Sequence, residues 1–331
     1  MKARTVFVLA GLSFFLLVCL LTPPFLLADD PPAAAVQAMP GPLSERSSSR
    51  SGRTIRVDVD LVLVNVTVTD PFNRLVTGLE KENFKVLEDQ GEQDILHFSS
   101  EDVPISLGVI FDVSGSMSNK LDKSRMAALQ FLKTANPADE FFLVTFSDRA
   151  VQQTSFTSSV EEVQSRLMFT RAKGRTALLD GIYLGLNQMR SAHNARRALL
   201  IISDGGDNHS RYNENDIKRF VKESDVQLYS IGIFNPIGTR PTSEEVTGPM
   251  LLSSLTETTG GRSFAVQNID DLPDVATKIS IELRNQYVIG YRPHNRARDG
   301  RWRKIRVKLL PPPGLPPLNV YAKTGYYAPT E

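Results

Sequence analysis

Hydrophobic and polar positions change their period several times along this chain. Residues 6–27 are largely apolar, and residues 29–53 have no periodic apolar face. Apolar and polar positions then alternate by twos through residues 54–100. From residue 105 the pattern changes to near-continuous apolar runs separated by stretches with apolar spacing of three and four. The runs 105–112, 141–146, 198–202, 226–233 and 263–266 predict strands buried on both faces. Between them, Met117, Leu121, Ser124, Ala128 and Phe131 form one helical stripe, and residues 160–167 form a short helix. Leu178, Ile182, Leu186 and Met189 form a further stripe, which Thr176 is placed to cap. Ile217, Phe220, Val221 and Ser224 make the next helical face, followed by helices over 251–258 and 272–283. Repeated strand–helix units of these lengths predict an α/β fold with a doubly wound, mostly parallel sheet.

From residue 285 the period of two returns. Residues 287–291 are apolar; Ile305, Val307 and Leu309 alternate with charged residues, and so do Leu318, Val320 and Ala322 with polar ones. These three strands, and about four in 54–100, are too few on either side to close a sandwich alone. The expectation is a single β-sandwich whose N-terminal part is 54–100 and whose C-terminal part is 285–331, with an α/β domain at 103–284 inserted between them. Within 54–100 the apolar register moves from Val57, Val59 and Leu61 to Val64, Val66 and Val68, which predicts a bulge or a crossing between sheets. The proline-rich loop at 311–317 reads as a stiff hairpin connection.

Charge changes this picture little. Lys and Arg number 38 and Asp and Glu 37, a formal net charge of +1, which gives no electrostatic reason to expect nucleic acid. The basic stretch 292–308 alternates as the solvated face of a strand would. Residues 1–28 have the form of an export signal peptide: Lys2 and Arg4, an apolar core, and Ala28 before Asp29. Two readings stay open, cleavage or retention as an uncleaved membrane anchor. Either way the protein is expected to be exported, to the periplasm, the outer envelope or beyond the cell. Cys19, the one cysteine of the chain, lies in this segment, so the mature protein would have no disulfide. Residues 29–53 read as a disordered linker.

The chemistry concentrates where strands end. The run 105–112 stops in Asp112-Val113-Ser114-Gly115-Ser116, a D-x-S-x-S pattern of short oxygen-bearing side chains. Gly174-Arg175-Thr176 opens a later helix, and Ser203-Asp204-Gly205 ends a later strand. Ligands of open α/β sheets bind at this carboxyl edge. Asp112, Ser114, Ser116, Thr176 and Asp204 are hard oxygen donors, suited to Mg²⁺ first, with Mn²⁺ or Ca²⁺ as alternatives.

This combination is similar to the metal-ion-dependent adhesion site of von Willebrand factor A-type domains. With its flanking β segments and C-terminal Thr-Gly-Tyr-Tyr, the chain also resembles the acidobacterial von Willebrand factor A-related family. The resemblance implies that Ser114 and Ser116 ligate the ion directly and that Thr176 does so directly or through water. It implies that Asp112 and Asp204 hold coordinated waters. It further implies a non-enzymatic adhesion module that captures an Asp or Glu of a protein partner through the cation. Two other functions stay open: an envelope assembly or structural protein in which metal is secondary, and a hydrolase. The hydrolase reading lacks a Gly-x-Ser-x-Gly elbow, and His209 alone of the four histidines lies near the proposed edge.

Overall fold

Strand β1 (Val62–Thr69) begins a computed structural model that describes residues 61–234 and 243–330. The expected export signal at 1–28, the expected linker at 29–53 and the expected register change between Val59 and Val64 fall wholly or partly outside the described residues. β1 itself runs unbroken, with Val64, Val66 and Val68 turned inward.

Three short strands follow: β2 (Phe84–Glu88), β3 (Gly91–Gln93) and β4 (Ile95–Ser99). The α/β part then comprises β5 (Ile105–Asp112), α1 (Leu121–Lys133), β6 (Glu140–Phe146), β7 (Ala150–Thr157), α2 (Val160–Met168) and α3 (Leu178–Gln188). It continues with β8 (Arg196–Ser203), α4 (Glu214–Glu223), β9 (Gln227–Ile233), α5 (Ser243–Thr258), β10 (Ser263–Val266) and α6 (Leu272–Arg284). The chain returns to strands with β11 (Tyr287–Tyr291), β12 (Trp302–Leu309), β13 (Asn319–Ala322) and β14 (Gly325–Tyr327).

The central sheet has the order β10-β9-β8-β5-β6-β7, parallel except for β7. All eight residues of β5 are buried because helices cover both faces. Phe111, Leu143 and Leu200 face α1, α2 and α6. Ile110, Val144 and Leu199 face α3, α4 and α5. Gly108 lets these layers close: a Cβ there would lie 2.3 Å from the Phe142 ring and 2.4 Å from Leu199. The doubly wound, mostly parallel sheet expected from the sequence is present. Strand β7 was not legible: its exposed, polar edge sequence lacks an apolar run. The helix expected at 251–258 also starts earlier, at Ser243.

Two four-stranded antiparallel sheets accompany this domain, with orders β13-β1-β11-β4 and β14-β12-β2-β3. Each draws strands from both flanking segments, and Val66, Phe84, Val86, Tyr287 and Ile289 pack between them. The C-terminal side supplies four strands, not three. Strands β12 and β13 lie in different sheets, so the proline-rich 311–317 loop crosses between sheets and is no hairpin. Its prolines, which have no N–H for a ladder, suit that crossing.

Buried polar contacts fix the α/β domain to the strands. Arg262 pairs with Glu282 of α6 and also donates to Asn73 Oδ1 at 2.9 Å, its guanidinium lying 4.5 Å from the Tyr321 ring centroid. Gln286 donates to Thr67 Oγ1 at 3.0 Å and accepts from Arg196 at 2.9 Å. The entry and exit of the α/β domain share one carboxylate: Asp139 Oδ1 accepts the Ile105 N–H at 2.8 Å, and Oδ2 binds the Arg284 guanidinium.

Glu282 is 1% exposed, so Glu282→Ala would leave the Arg262 guanidinium buried without its carboxylate. Urea denaturation is expected to show a loss of about 3–5 kcal/mol. A loss below about 1 kcal/mol, the size of an exposed pair, would show that solvent screens this contact.

Candidate functional site

The site is built where β5 ends. Asp112, its last residue, is fully buried and must find donors for both oxygens. Oδ1 accepts the Ser114 N–H at 2.8 Å, and Oδ2 accepts the Ser203 hydroxyl at 2.6 Å. Ser203 Oγ in turn accepts the Gly205 N–H at 3.0 Å. Burial, reinforced by the neighbouring Asp204 carboxylate, pushes the Asp112 carboxyl up to about 7, against the opposing effect of these hydrogen bonds.

Ser114 precedes a single 3₁₀ turn at Gly115–Met117, but its side chain makes no capping hydrogen bond. Its hydroxyl lies 3.0 Å from that of Ser116. A serine retained for helix capping would use its oxygen on a backbone N–H; these two turn to each other.

The second loop is laced to the first. Lys173 N–H donates to Val113 O at 2.9 Å, and Gly115 N–H donates to Gly174 O at 3.0 Å. Gly174 has φ +78°, and a Cβ there would stand 2.5 Å from Asp148 Oδ2. Asp148 also accepts the Arg175 N–H at 2.9 Å. Thr176 is held through its backbone: its N–H donates to Asn208 Oδ1 at 3.0 Å, and its carbonyl accepts the N–H groups of Asn208 and His209.

One expectation fails here. Thr176 does not cap α3: the helix starts at Leu178, with Ala177 at the cap position and no side-chain bond from it. Residues after β8 do the capping from a distance. Leu179 N–H donates to Asp207 Oδ1 at 3.2 Å, and Asp180 N–H to Ser210 Oγ at 3.1 Å. The Thr176 hydroxyl is thereby left out of helix capping.

The third loop brings Asp204, close enough to raise Asp112 electrostatically. Its Oδ2 lies 3.3 Å from Lys120 Nζ, and Lys120 is itself only 6% exposed and also donates to Ile233 O. Among the described residues, Asp112, Ser114 and Ser116 are linked by hydrogen bonds, Thr176 is tied to the third loop through Asn208, and Asp204 acts on Asp112 through charge. Neither Thr176 nor Asp204 bonds directly to the two serine hydroxyls. The side chains of Asp112, Ser114, Ser116, Thr176 and Asp204 end in oxygen, which fits a hard divalent cation and not a soft one, with the Lys120 ammonium as a competing cation at Asp204.

Sequence reasoning missed the supports of this site. Ser203 was placed in the loop after the 198–202 run but given no role, because its partner Asp112 is distant in sequence. Asp148 and Asn208 are loop residues whose partners are distant in sequence. Lys120 left a signal, a cation immediately before the helical stripe resumes at Leu121, but nothing local shows it buried.

A family model for the von Willebrand factor type A domain matches residues 107–206, the stretch from β5 through the loop after β8. The chain contains a von Willebrand factor type A domain. Inter alpha-trypsin inhibitor heavy chain 4 of Mus musculus is 28% identical over 151 residues, 41% of this chain and 16% of that protein. The Homo sapiens heavy chain H4 is 26% identical over 142 residues, 39% of this chain and 15% of that protein. The match thus spans less than one fifth of either relative. Among solved structures, a von Willebrand factor type A protein from Catenulispora acidiphila aligns with TM-score 0.47 at 12% identity, covering 80% of this chain and 74% of that one. The conserved hypothetical protein BatB of Bacteroides thetaiotaomicron aligns with TM-score 0.43 at 17% identity, covering 54% and 98%.

The A-type domain depends on Gly174 for the seam between its first two loops. Gly174→Ala is expected to cost about 1–2 kcal/mol from the left-handed backbone alone, with a further loss from the clash with Asp148. The double variant with Asp148→Ala should recover the second part but not the first, as read by chemical denaturation.

Proposed function

We propose that the A-type domain is a metal-dependent protein-binding module, exported from the cell, in which a divalent cation links the site to a carboxylate of the partner. Ser114, Ser116 and Thr176 would hold the ion, with Mg²⁺ the first expectation. Asp112 and Asp204 would orient waters around it. When bound, the ion supplies Lewis acidity toward an incoming Asp or Glu side chain.

The observation that carries the reading is the pair of hydroxyls on Ser114 and Ser116, 3.0 Å apart and unused in helix capping, above the buried Asp112. The protein's own residues prepare the site by fixing Asp112 between Ser114 N–H and the Ser203 hydroxyl. Two neutral hydroxyls near the ion leave more of its charge for the partner than carboxylate ligands would. The family match supports an interaction role. Export rests on residues 1–28, outside the described structure; among the described residues no helix is long and apolar enough to cross a membrane.

The module is read as non-enzymatic. His209 Nδ1 lies 3.2 Å from the Arg175 guanidinium, and among the described residues no imidazole is hydrogen-bonded to Ser114 or Ser116. Neither serine therefore forms the serine–histidine pair of the common hydrolases.

One observation favours a second reading, an assembly or structural protein in which metal is secondary. The Lys120 ammonium already pairs with Asp204, so the pocket carries a cation of its own. Calorimetry separates the two. The metal reading expects Mg²⁺ or Mn²⁺ to bind the full chain and Asp112→Ala to weaken that binding about 10–100-fold. Equal affinity in both proteins, or no binding by either, would leave the second reading.

A further inference from the structure

Loop 168–176 leads directly to Thr176, and it is unusually well held for an exposed connection. Arg125 donates from Nε to Leu167 O at 3.0 Å and also binds Thr170 O. Thr170 Oγ1 closes the turn by donating to Leu167 O at 2.7 Å. Further along, Lys173 and Gly174 are bonded to Val113 and Gly115, and Arg175 to Asp148. The loop is therefore anchored to α1, to the strand β5 exit and to the loop after β6.

This held loop and the last residue of α2 carry two apolar side chains into water. Phe169 is 85% exposed and Met168 58% exposed. Phe72, another exposed aromatic, has the Arg74 guanidinium 5.4 Å from its ring centroid; Phe169 has no such companion among the described residues. A rigid aromatic left bare is an interface anchor that loses little entropy on binding.

Cations outnumber carboxylates around it, and Asp122 is paired with Arg125 at 2.6 Å. Arg149, Arg171 and Lys173 are exposed and pair with no carboxylate among the described residues. The Arg175 guanidinium faces His209, not an acid. Asp148, the carboxylate in their midst, is already engaged by the Arg175 N–H. A chain of net charge +1 thus concentrates unneutralised cations on one loop cluster beside the metal site.

We infer that residues 168–175, with Arg149, form the docking surface for an acidic protein segment that also carries a bulky apolar side chain. Phe169 and Met168 take the apolar side chain. Arg149, Arg171, Lys173 and Arg175 face the carboxylates that flank the one directed to the metal site. The cations steer approach and the aromatic holds the complex, so the two act on different rates. This inference rests on the metal-dependent reading for the position of the central carboxylate. A lipid surface fits less well, because Met168, at the end of α2, and Phe169, on the short pinned loop after it, do not make a broad apolar face.

The test uses the full chain and a labelled synthetic peptide of alternating glutamate and leucine, followed by fluorescence anisotropy in Mg²⁺. Peptides of alternating glutamate and serine, and of glutamine and leucine, separate charge from apolar contact. Vesicles of phosphatidylglycerol provide the lipid arm. Phe169→Ala is expected to weaken the glutamate–leucine peptide about tenfold, mainly by faster dissociation. The double charge reversal Arg171→Glu with Lys173→Glu is expected to weaken it about tenfold and to flatten its salt dependence. Both variants should keep the wild-type Mg²⁺ affinity and denaturation midpoint.

Binding that survives EDTA but is lost on charge reversal would overturn the metal-dependent reading and uphold this surface. Binding lost with EDTA but unchanged in both loop variants would uphold the metal and overturn this surface. Failure of the peptide to bind wild type, or tighter binding to the vesicles, would likewise overturn it.

Discussion

A carboxylate buried at the end of a central strand survives only if donors surround it, and here those donors come from different parts of the chain. Asp112 is satisfied by the N–H two residues on and by the hydroxyl of Ser203, from the neighbouring strand. Satisfying it therefore fixes the first loop and draws in the third. The second loop is added by backbone bonds from Val113 and Gly115. The site's geometry is thus a consequence of solvating one acid inside the protein. Its remaining electrostatic problem, Asp204 close by, is met in part by Lys120.

The strands flanking the A-type domain are bound to it by polar contacts that have little access to water. Such contacts stabilise less than their Coulomb energy suggests, because both partners lose hydration. They do constrain geometry. Arg262 meets Glu282, Asn73 and Tyr321 at once, and Gln286 spans Thr67 and Arg196. These contacts set helix α6, the strand β11 that follows it and the opening strand β1 in one arrangement.

The sequence was most informative where burial is complete and least where partners are remote. Near-continuous apolar runs such as 105–112 and 198–202 announce covered strands, because only a sheet protected on both faces tolerates them. Edge strand β7 has one neighbour and much exposure, so propensity there is weak and the run 150–157 passes for a loop. The short β3 gave no signal either, being three mostly polar residues. Of the site, the D-x-S-x-S stretch was legible because its members are adjacent. Thr176 was visible as a residue but given the wrong local role: its helix is capped by Asp207 and Ser210, whose approach only the folded sheet edge creates. The 311–317 loop misled for a related reason, since proline content fixes local stiffness and says nothing about which sheet the next strand joins.

The grip of Asp139 on both Ile105 and Arg284 also bears on how the chain can assemble. Strand β1 must pair with β11, yet Val62 and its partner Tyr291 are separated by the whole α/β domain. Left as an open chain, that intervening length would raise the entropic cost of closing the pair. Once the domain has folded, Asp139 brings its two ends to a single point, and the effective loop shrinks to the β2–β4 segment on one side and a few residues on the other. The inserted domain then acts as a template that makes the β4–β11 pairing local and shortens the loop that β1 must close. During synthesis the inward-facing valines of β1 stay uncovered until β11 and β12 emerge. The order of events is set by topology: inner domain first, outer strands last.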